Sequence, residues 1–521
     1  MNKDLYELDK LYKENKFNQV VKQSKLLINS DKSIPPYYNL LGLSLSRLGK
    51  DQEAEIFFLE GIKKFPSEIS LKSNIALTQI NLNKIEMAEG NLNEAIKINS
   101  EDIYTQYSLG HLKRAQLKFD EAIKVFKQIC EKDIKFGRAL LLLGQSYLDL
   151  AHQTNQKKYY DLAKKNLLLC SELFPQILGV DYTLSTIINY SENNYHQKKM
   201  LNKIEKLDLT ENENHLIYFA LGKSFEDQKK YEQSSQFITQ ANQIKNKSVD
   251  KNLMKNEVLK IRNIKNIFTN YPISASSTNN LFEKKIIFVV GLPRSGTTLV
   301  HQLLSCADGT FGFGESRFLN EYFEKNILNK QFLSKLLNKK TMQKEVVKIS
   351  NEIGKKYNSV SNKNIFIDKM PPNYNWIGFI KLLFPNSRVV HIQRNIKDNI
   401  LSIYKNYFGT DIMNWSYDEK NILKHYNNYK TIMKFWKKKY SNFIFDLNYD
   451  KLVKSKEIET KKLFNFCSLK WSEEIFDFYK NAKTIKTVSI NQVKKPIYQN
   501  SINSSSNYTN YFDFLNRIEN F

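Results

Sequence analysis

Cysteine is scarce: the four in 521 residues, Cys130, Cys170, Cys306 and Cys467, stand far apart and form no C-x-x-C pair. That spacing argues against a disulfide framework and a zinc site, and a reducing compartment is expected. No apolar leader follows Met1-Asn2-Lys3-Asp4-Leu5, and no run of about 18 apolar residues occurs, so a cytoplasmic protein without a transmembrane segment is expected. The seven histidines and four cysteines form no ligand cluster, and no metal is expected. A compact basic tract interleaved with aromatics is also missing, so nucleic acid is not expected as a partner. The formal charge of +25 still favours anionic ligands such as a nucleotide or an acidic polymer. With 41% hydrophobic and 13% aromatic residues the chain reads as globular, and its length suits two domains.

Small residues recur at Gly42, Ala76, Gly110 and Gly144, and again at Ala54, Ala88 and Ala122, every interval being 34 residues. That is the period of tetratricopeptide helix pairs. One series falls where the first helix of a pair approaches the second, and the other where the second helix turns inward. The register slips after Gly144: the next inward small residue is Ala163, 41 residues beyond Ala122, and the polar segment His152–Lys158 is the expected insertion. The pattern returns at Phe219-Ala220-Leu221-Gly222. Residues 1–245 are therefore expected to form an all-α tetratricopeptide solenoid, a generic helical bundle being the alternative.

Between 246 and 280 the repeat fades into the small polar Ile273–Asn280, which reads as a linker. Residues 281–521 follow a different grammar. Short apolar runs at Ile286–Val290, Ile365–Ile367, Arg388–Ile392 and Phe443–Phe445 alternate with helical stretches, the pattern of a parallel sheet covered on both faces. Ligands of such sheets bind beyond the carboxyl ends of the strands.

The first run ends in Gly291-Leu292-Pro293-Arg294-Ser295-Gly296-Thr297-Thr298-Leu299 and opens a helix at once. Loop amides and the helix dipole together make an anion site there, and phosphate is the expected guest. The nucleoside-triphosphate loop G-x-x-x-x-G-K-[ST] requires a Lys where this chain has Thr297, so an ATP-dependent kinase loses its main cation. Arg294 supplies positive charge inside the loop instead.

Pro293-Arg294-Ser295-Gly296-Thr297-Thr298 resembles the 5′-phosphosulfate loop of sulfotransferases that use 3′-phosphoadenosine-5′-phosphosulfate (PAPS), in particular the tyrosylprotein branch and its bacterial relatives with tetratricopeptide repeats. Arg394, ending Arg388–Arg394, and Ser402 resemble the family's 3′-phosphate site, where a guanidinium fork suits phosphate oxygens. The resemblance implies an α/β sulfotransferase fold behind the solenoid, PAPS as donor, adenosine 3′,5′-bisphosphate as product, and no metal. It implies Glu315, in Gly314-Glu315, as catalytic base, and Lys369, in Asp368-Lys369-Met370-Pro371, as the cation on the bridging oxygen. Ser489 and Lys495 match residues that close over the cofactor, and Tyr449 matches a nucleotide contact. From the residues alone, Glu315 could equally cap the next helix, Lys369 stand idle at the surface, Arg394 join a surface ion pair and Tyr449 be structural.

Two departures stand out. The tyrosylprotein branch has a second Arg twelve residues after the first, where this chain has Asn406 beside Lys405, so Lys405 is the candidate substitute. The repeat-bearing relatives carry Gly-Arg-Trp near the end, where this chain has Ser504-Ser505-Ser506. The function expected is transfer of a sulfuryl group from PAPS to a hydroxyl of an acceptor protein, peptide or glycan, engaged by the repeats. The alternatives are a repeat scaffold whose nucleotide domain is not catalytic, and an ATP-dependent kinase.

Overall fold

The computed structural model describes residues 3–30, 33–206, 214–270, 282–479, 497 and 502–518. The chain divides into two compact units, residues 1–187 and 188–521.

The first unit is built of helix pairs. Pro35–Arg47 pairs with Asp51–Lys64, Ile69–Asn81 with Ile85–Ile98, and Ile103–Ala115 with Phe119–Lys132. A Cβ on Gly42 would lie 2.3 Å from the Phe58 ring, and one on Gly110 would lie 2.5 Å from Phe126. Sixteen residues separate each glycine from its ring. The small series thus exists because an aromatic of the second helix lies against the backbone of the first. At Gly144 the partner is Leu167, 2.6 Å away and seven residues later in register. The polar insertion is absorbed as helix: Gly137–Thr154 and Lys157–Leu173 run to 18 and 17 residues, against 13 or 14 in the preceding three pairs.

A second periodicity marks the turn inside each pair. Asn15, Gly49, Asn83 and Leu117, each 34 residues apart, have φ of 58°, 74°, 59° and 63°. Glycine and asparagine take this left-handed conformation readily, whereas Leu117 holds it at a cost of ~1–2 kcal/mol. Asn15 belongs to an additional pair, Lys3–Lys13 with Phe17–Ile28, whose anchor positions carry the large Leu8 and Val20, both buried.

The second unit begins before the expected domain boundary. The pair Asn214–Asp227 and Tyr231–Asn246 lies in it, and a Cβ on Gly222 would fall 2.7 Å from Ile238. The stretch read as linker contains an 18-residue helix, Leu253–Asn270. Its Ile261, Ile264, Ile267 and Phe268 repeat at helical spacing and are buried. Phe268 meets Phe379 and Trp436 edge-on at 4.8 and 5.1 Å. Residues 273–280 lie outside the described residues.

Five strands form one parallel sheet: β1 (Lys285–Gly291), β2 (Thr310–Gly314), β3 (Ile365–Lys369), β4 (Arg388–Gln393) and β5 (Ile444–Asn448), in the order β2-β3-β1-β4-β5. Ile286, Phe288 and Val290 enter one core layer and Ile287 and Val289 the other, so β1 is buried on both faces and reads as an unbroken apolar run. The edge strand β2 was not legible as a run, because Gly312 and Gly314 interrupt its Thr-Phe-Gly-Phe-Gly. Its ladder to β3 shifts register between Gly312 and Gly314.

Candidate active site

The loop after β1 is shaped by two non-helical conformations. Arg294 has φ 65° and Gly296 φ 103°. A Cβ at Gly296 would stand 2.2 Å from Tyr449 Cδ2, so the ring of Tyr449 occupies the space that the glycine leaves. The helix Thr297–Ser305 follows, with no side-chain cap and no acidic residue in its first turn. Its leading N–H groups and positive dipole end are therefore available to an anion. Ser295 is buried and its Oγ has no partner, and Thr297 and Thr298 are buried beside it. An orphaned hydroxyl, uncapped amides and a cradle that a Cβ would fill all fit a phosphate group.

The residues expected to bind the nucleotide converge on this loop. Arg394, at the end of β4, donates from Nη1 to the Arg294 carbonyl at 3.1 Å, and its guanidinium lies 5.1 Å from the centre of the Tyr449 ring. Arg294 Nε donates to Ser402 Oγ at 3.1 Å. Asn399 Nδ2 donates to the Pro293 carbonyl at 2.8 Å, and the Asn395 amide to Asp450 at 2.9 Å. Arg394 is thus folded into the loop assembly and makes no surface ion pair among its described contacts. Asn399 and Asp450 were not singled out in the sequence, although both neighbour residues that were.

The sequence departures have structural counterparts. Lys405 pairs with Glu226 at 2.5 Å, and Asn406 donates to the Ser402 carbonyl, so Lys405 is already committed to a carboxylate and does not stand in for the second Arg. Buried Asp398 accepts the amides of Asn503 and Ser505 at 2.7 and 2.8 Å. The serine run that replaces Gly-Arg-Trp is therefore anchored between Arg394 and Ser402. Ser489 and Lys495 lie outside the described residues.

A second cluster forms at the ends of β2 and β3. Lys369 Nζ forms an ion pair with Glu315 Oε1; the ammonium-bearing side chain is 1% exposed and the carboxylate-bearing one 39%. Lys369 is therefore no idle surface lysine. Burial holds its ammonium below the usual lysine range, while Glu315 and Asp368 pull the other way. The next helix, Phe318–Asn326, has Arg317 at its cap position without a side-chain bond, so Glu315 is not its cap. Ile367 packs with Leu299 and Val300, and Lys369, two residues on, projects from the same face of the sheet. The ion pair therefore lies on the side of the sheet that carries the helix Thr297–Ser305.

Two histidines are excluded as bases. Burial holds His301 at about 3, hence neutral, and its Nε2 accepts the Gly314 amide at 3.1 Å, tethering the residue before Glu315. His391 is buried between Asp446, 2.6 Å from Nδ1, and the Tyr429 hydroxyl. Among the described residues, no group of His, Cys, Asp and Glu is arranged to hold a metal ion, and no helix is long and apolar enough to cross a membrane.

Residues 287–473 match the model of a sulfotransferase family. A protein of Aquifex aeolicus described as uncharacterized is 27% identical over 304 residues, which cover 56% of this chain and 40% of that protein. A putative protein-tyrosine sulfotransferase of Caenorhabditis briggsae is 22% identical over 232 residues, 44% of this chain and 81% of its own. Among solved structures, the sulfotransferase domain of the Synechococcus PCC 7002 olefin synthase aligns at 16% identity over 44% of this chain and 90% of its own, with a TM-score of 0.33.

Proposed function

We propose that this chain, a sulfotransferase-family domain over residues 287–473, moves a sulfuryl group from PAPS to an acceptor hydroxyl. The observation that carries the reading is the Glu315–Lys369 ion pair, held on the same side of the sheet as an uncapped, phosphate-suited helix N-terminus.

The loop amides, Ser295, Thr297 and Thr298 receive the donor's 5′-phosphate, and Arg394 with Ser402 the 3′-phosphate. Glu315 takes the proton of the acceptor hydroxyl. The acceptor oxygen bonds to sulfur as the bond from sulfur to the 5′-phosphate oxygen breaks, and the electron pair stays on that oxygen. Lys369, released from Glu315, stabilises the charge developing there. Ser489 and Lys495 are assigned to closure over the donor by family resemblance. A protein or peptide tyrosine, or a glycan, is the acceptor class we assign, with the helical repeats as its docking element.

The test is thermal unfolding with adenosine 3′,5′-bisphosphate, and in parallel with ATP and Mg²⁺. A ligand at a hundredfold excess over its Kd stabilises the native state by about 2.7 kcal/mol, so the bisphosphate should delay melting and Arg394→Ala should abolish the delay. Stabilisation by ATP and Mg²⁺ instead would replace the reading with a kinase.

A further inference from the structure

Behind the Glu315–Lys369 pair lies a second link between the same two segments. Asp368 is completely buried on β3, and its Oδ2 accepts hydroxyl protons from Ser316 and from Tyr357 of the helix Lys339–Val360. Ser316 follows Glu315 in the chain, and Asp368 precedes Lys369. Successive strand residues face opposite sides, so the two cross-links stand on opposite faces of β3. The surroundings of Asp368 are apolar: Phe288, Phe366 and Tyr357 belong to the core layer on that side. A buried carboxylate in such a place is costly, and an apolar residue of similar shape would cost less. Stability therefore does not account for it.

The turn that carries Glu315 has few other restraints. It follows Gly314 at φ 81° and has no regular structure. It is held by the Gly314 amide on His301, by Ser316 on Asp368, and by Lys369 on Glu315 itself. The last of these must break when Lys369 turns to the donor oxygen.

We infer that Asp368 is a positioning residue which, through Ser316 and backed by Tyr357, keeps Glu315 in place once Lys369 has left the ion pair. This rests on the reading of Glu315 as base. The ionisable groups acting on Asp368 are Tyr357, Lys369 and Glu315, and burial lifts its carboxyl to about 7. The carboxylate is the better acceptor for two hydroxyls, so turnover should rise with pH through neutrality more steeply than in Asp368→Asn.

Turnover is followed as release of adenosine 3′,5′-bisphosphate from PAPS, with a tyrosine-bearing peptide as acceptor and with water alone as the slower acceptor. Ser316→Ala should lower kcat by about tenfold, the loss of one hydrogen bond to a charged group, with the donor KM and the stabilisation by bisphosphate unchanged. Ser316→Thr, which keeps the hydroxyl, should recover most of that loss. In a Glu315→Gln background Ser316→Ala should cost nothing more, because the residue it positions no longer acts. Wild-type turnover in Ser316→Ala, failure of Ser316→Thr to recover it, or an equal loss in both backgrounds would each overturn the inference. A Glu315→Gln protein that turns over normally would instead remove the base assignment beneath it.

Discussion

Replacing Lys369 with methionine should separate catalysis from stability in opposite directions. The lysine side chain is 1% exposed, whereas its partner Glu315 is 39% exposed and keeps much of its hydration. Burial outweighs the two carboxylates and holds the ammonium below its ordinary range, so the charge is net unfavourable to the fold. Methionine has a similar length, fills the same channel and brings no charge. The Glu315 carboxylate, left without its partner, can turn to water. The expected change is stabilisation by ~1–2 kcal/mol, the range in which buried ion pairs yield to apolar residues, read by urea unfolding at pH 7. Turnover should fall by about 10²–10³, the cost of removing a preorganised group aimed at developing charge, with bisphosphate binding retained. Destabilisation by more than ~1 kcal/mol would show that the pair is a structural bond and would refute the reasoning.

Gly296→Ala should abolish stabilisation by bisphosphate: its backbone φ of 103° costs a non-glycine residue ~1–3 kcal/mol, and the added Cβ would strike Tyr449 at 2.2 Å. Combining it with Tyr449→Ala should remove the clash and leave the backbone cost, so full recovery of wild-type stability in the double variant would contradict that division. Gly110→Ala, whose Cβ would lie 2.5 Å from the Phe126 ring, should destabilise residues 1–187 by ~1–3 kcal/mol in denaturant unfolding, with partial rescue by Phe126→Leu. Asp368 has its folded carboxyl raised from 3.8 to about 7. Its contribution to stability is therefore full below the unfolded value and is lost as pH rises through 7. Relative to Asp368→Asn, the wild type should lose roughly 4 kcal/mol between those limits, at about 1.4 kcal/mol per pH unit; parallel stability curves for the two proteins would refute it.

What the sequence showed and what it hid follow from how each feature is enforced. The phosphate loop was legible because a buried strand, two glycines and a helix start must occur in that order to make it. The repeats were legible where an aromatic of one helix presses on the backbone of the other, as Phe58 does on Gly42. The pair Lys3–Lys13 and Phe17–Ile28 escaped because Leu8 and Val20 occupy the anchor positions and no small residue marks them. The helix Leu253–Asn270 escaped because its buried isoleucines are set among lysines and asparagines, which made its composition resemble a linker. Asp368 was quoted as part of a motif, but its bonds to Ser316 and Tyr357 span 52 and 11 residues, and nothing local announces them.

The two departures at the 3′-phosphate site acquire a common explanation. Lys405 is neutralised by Glu226, which lies on the helix Asn214–Asp227, and Tyr508 beyond the serine run shares a hydrogen bond with Ser234 on the following helix at 2.8 Å. Both substituted positions are therefore joined to the helix pair that packs within the second unit. Where the related branch has a second arginine, this chain has Asn406 bonded to its own helix and Lys405 held by a carboxylate. Charge at the site then rests chiefly on Arg294 and Arg394, joined through the Arg294 carbonyl and braced by Ser402. A guanidinium cannot lose its proton near neutral pH, so recognition of the donor should vary little with pH, and any pH dependence of turnover belongs to the Glu315, Lys369 and Asp368 cluster.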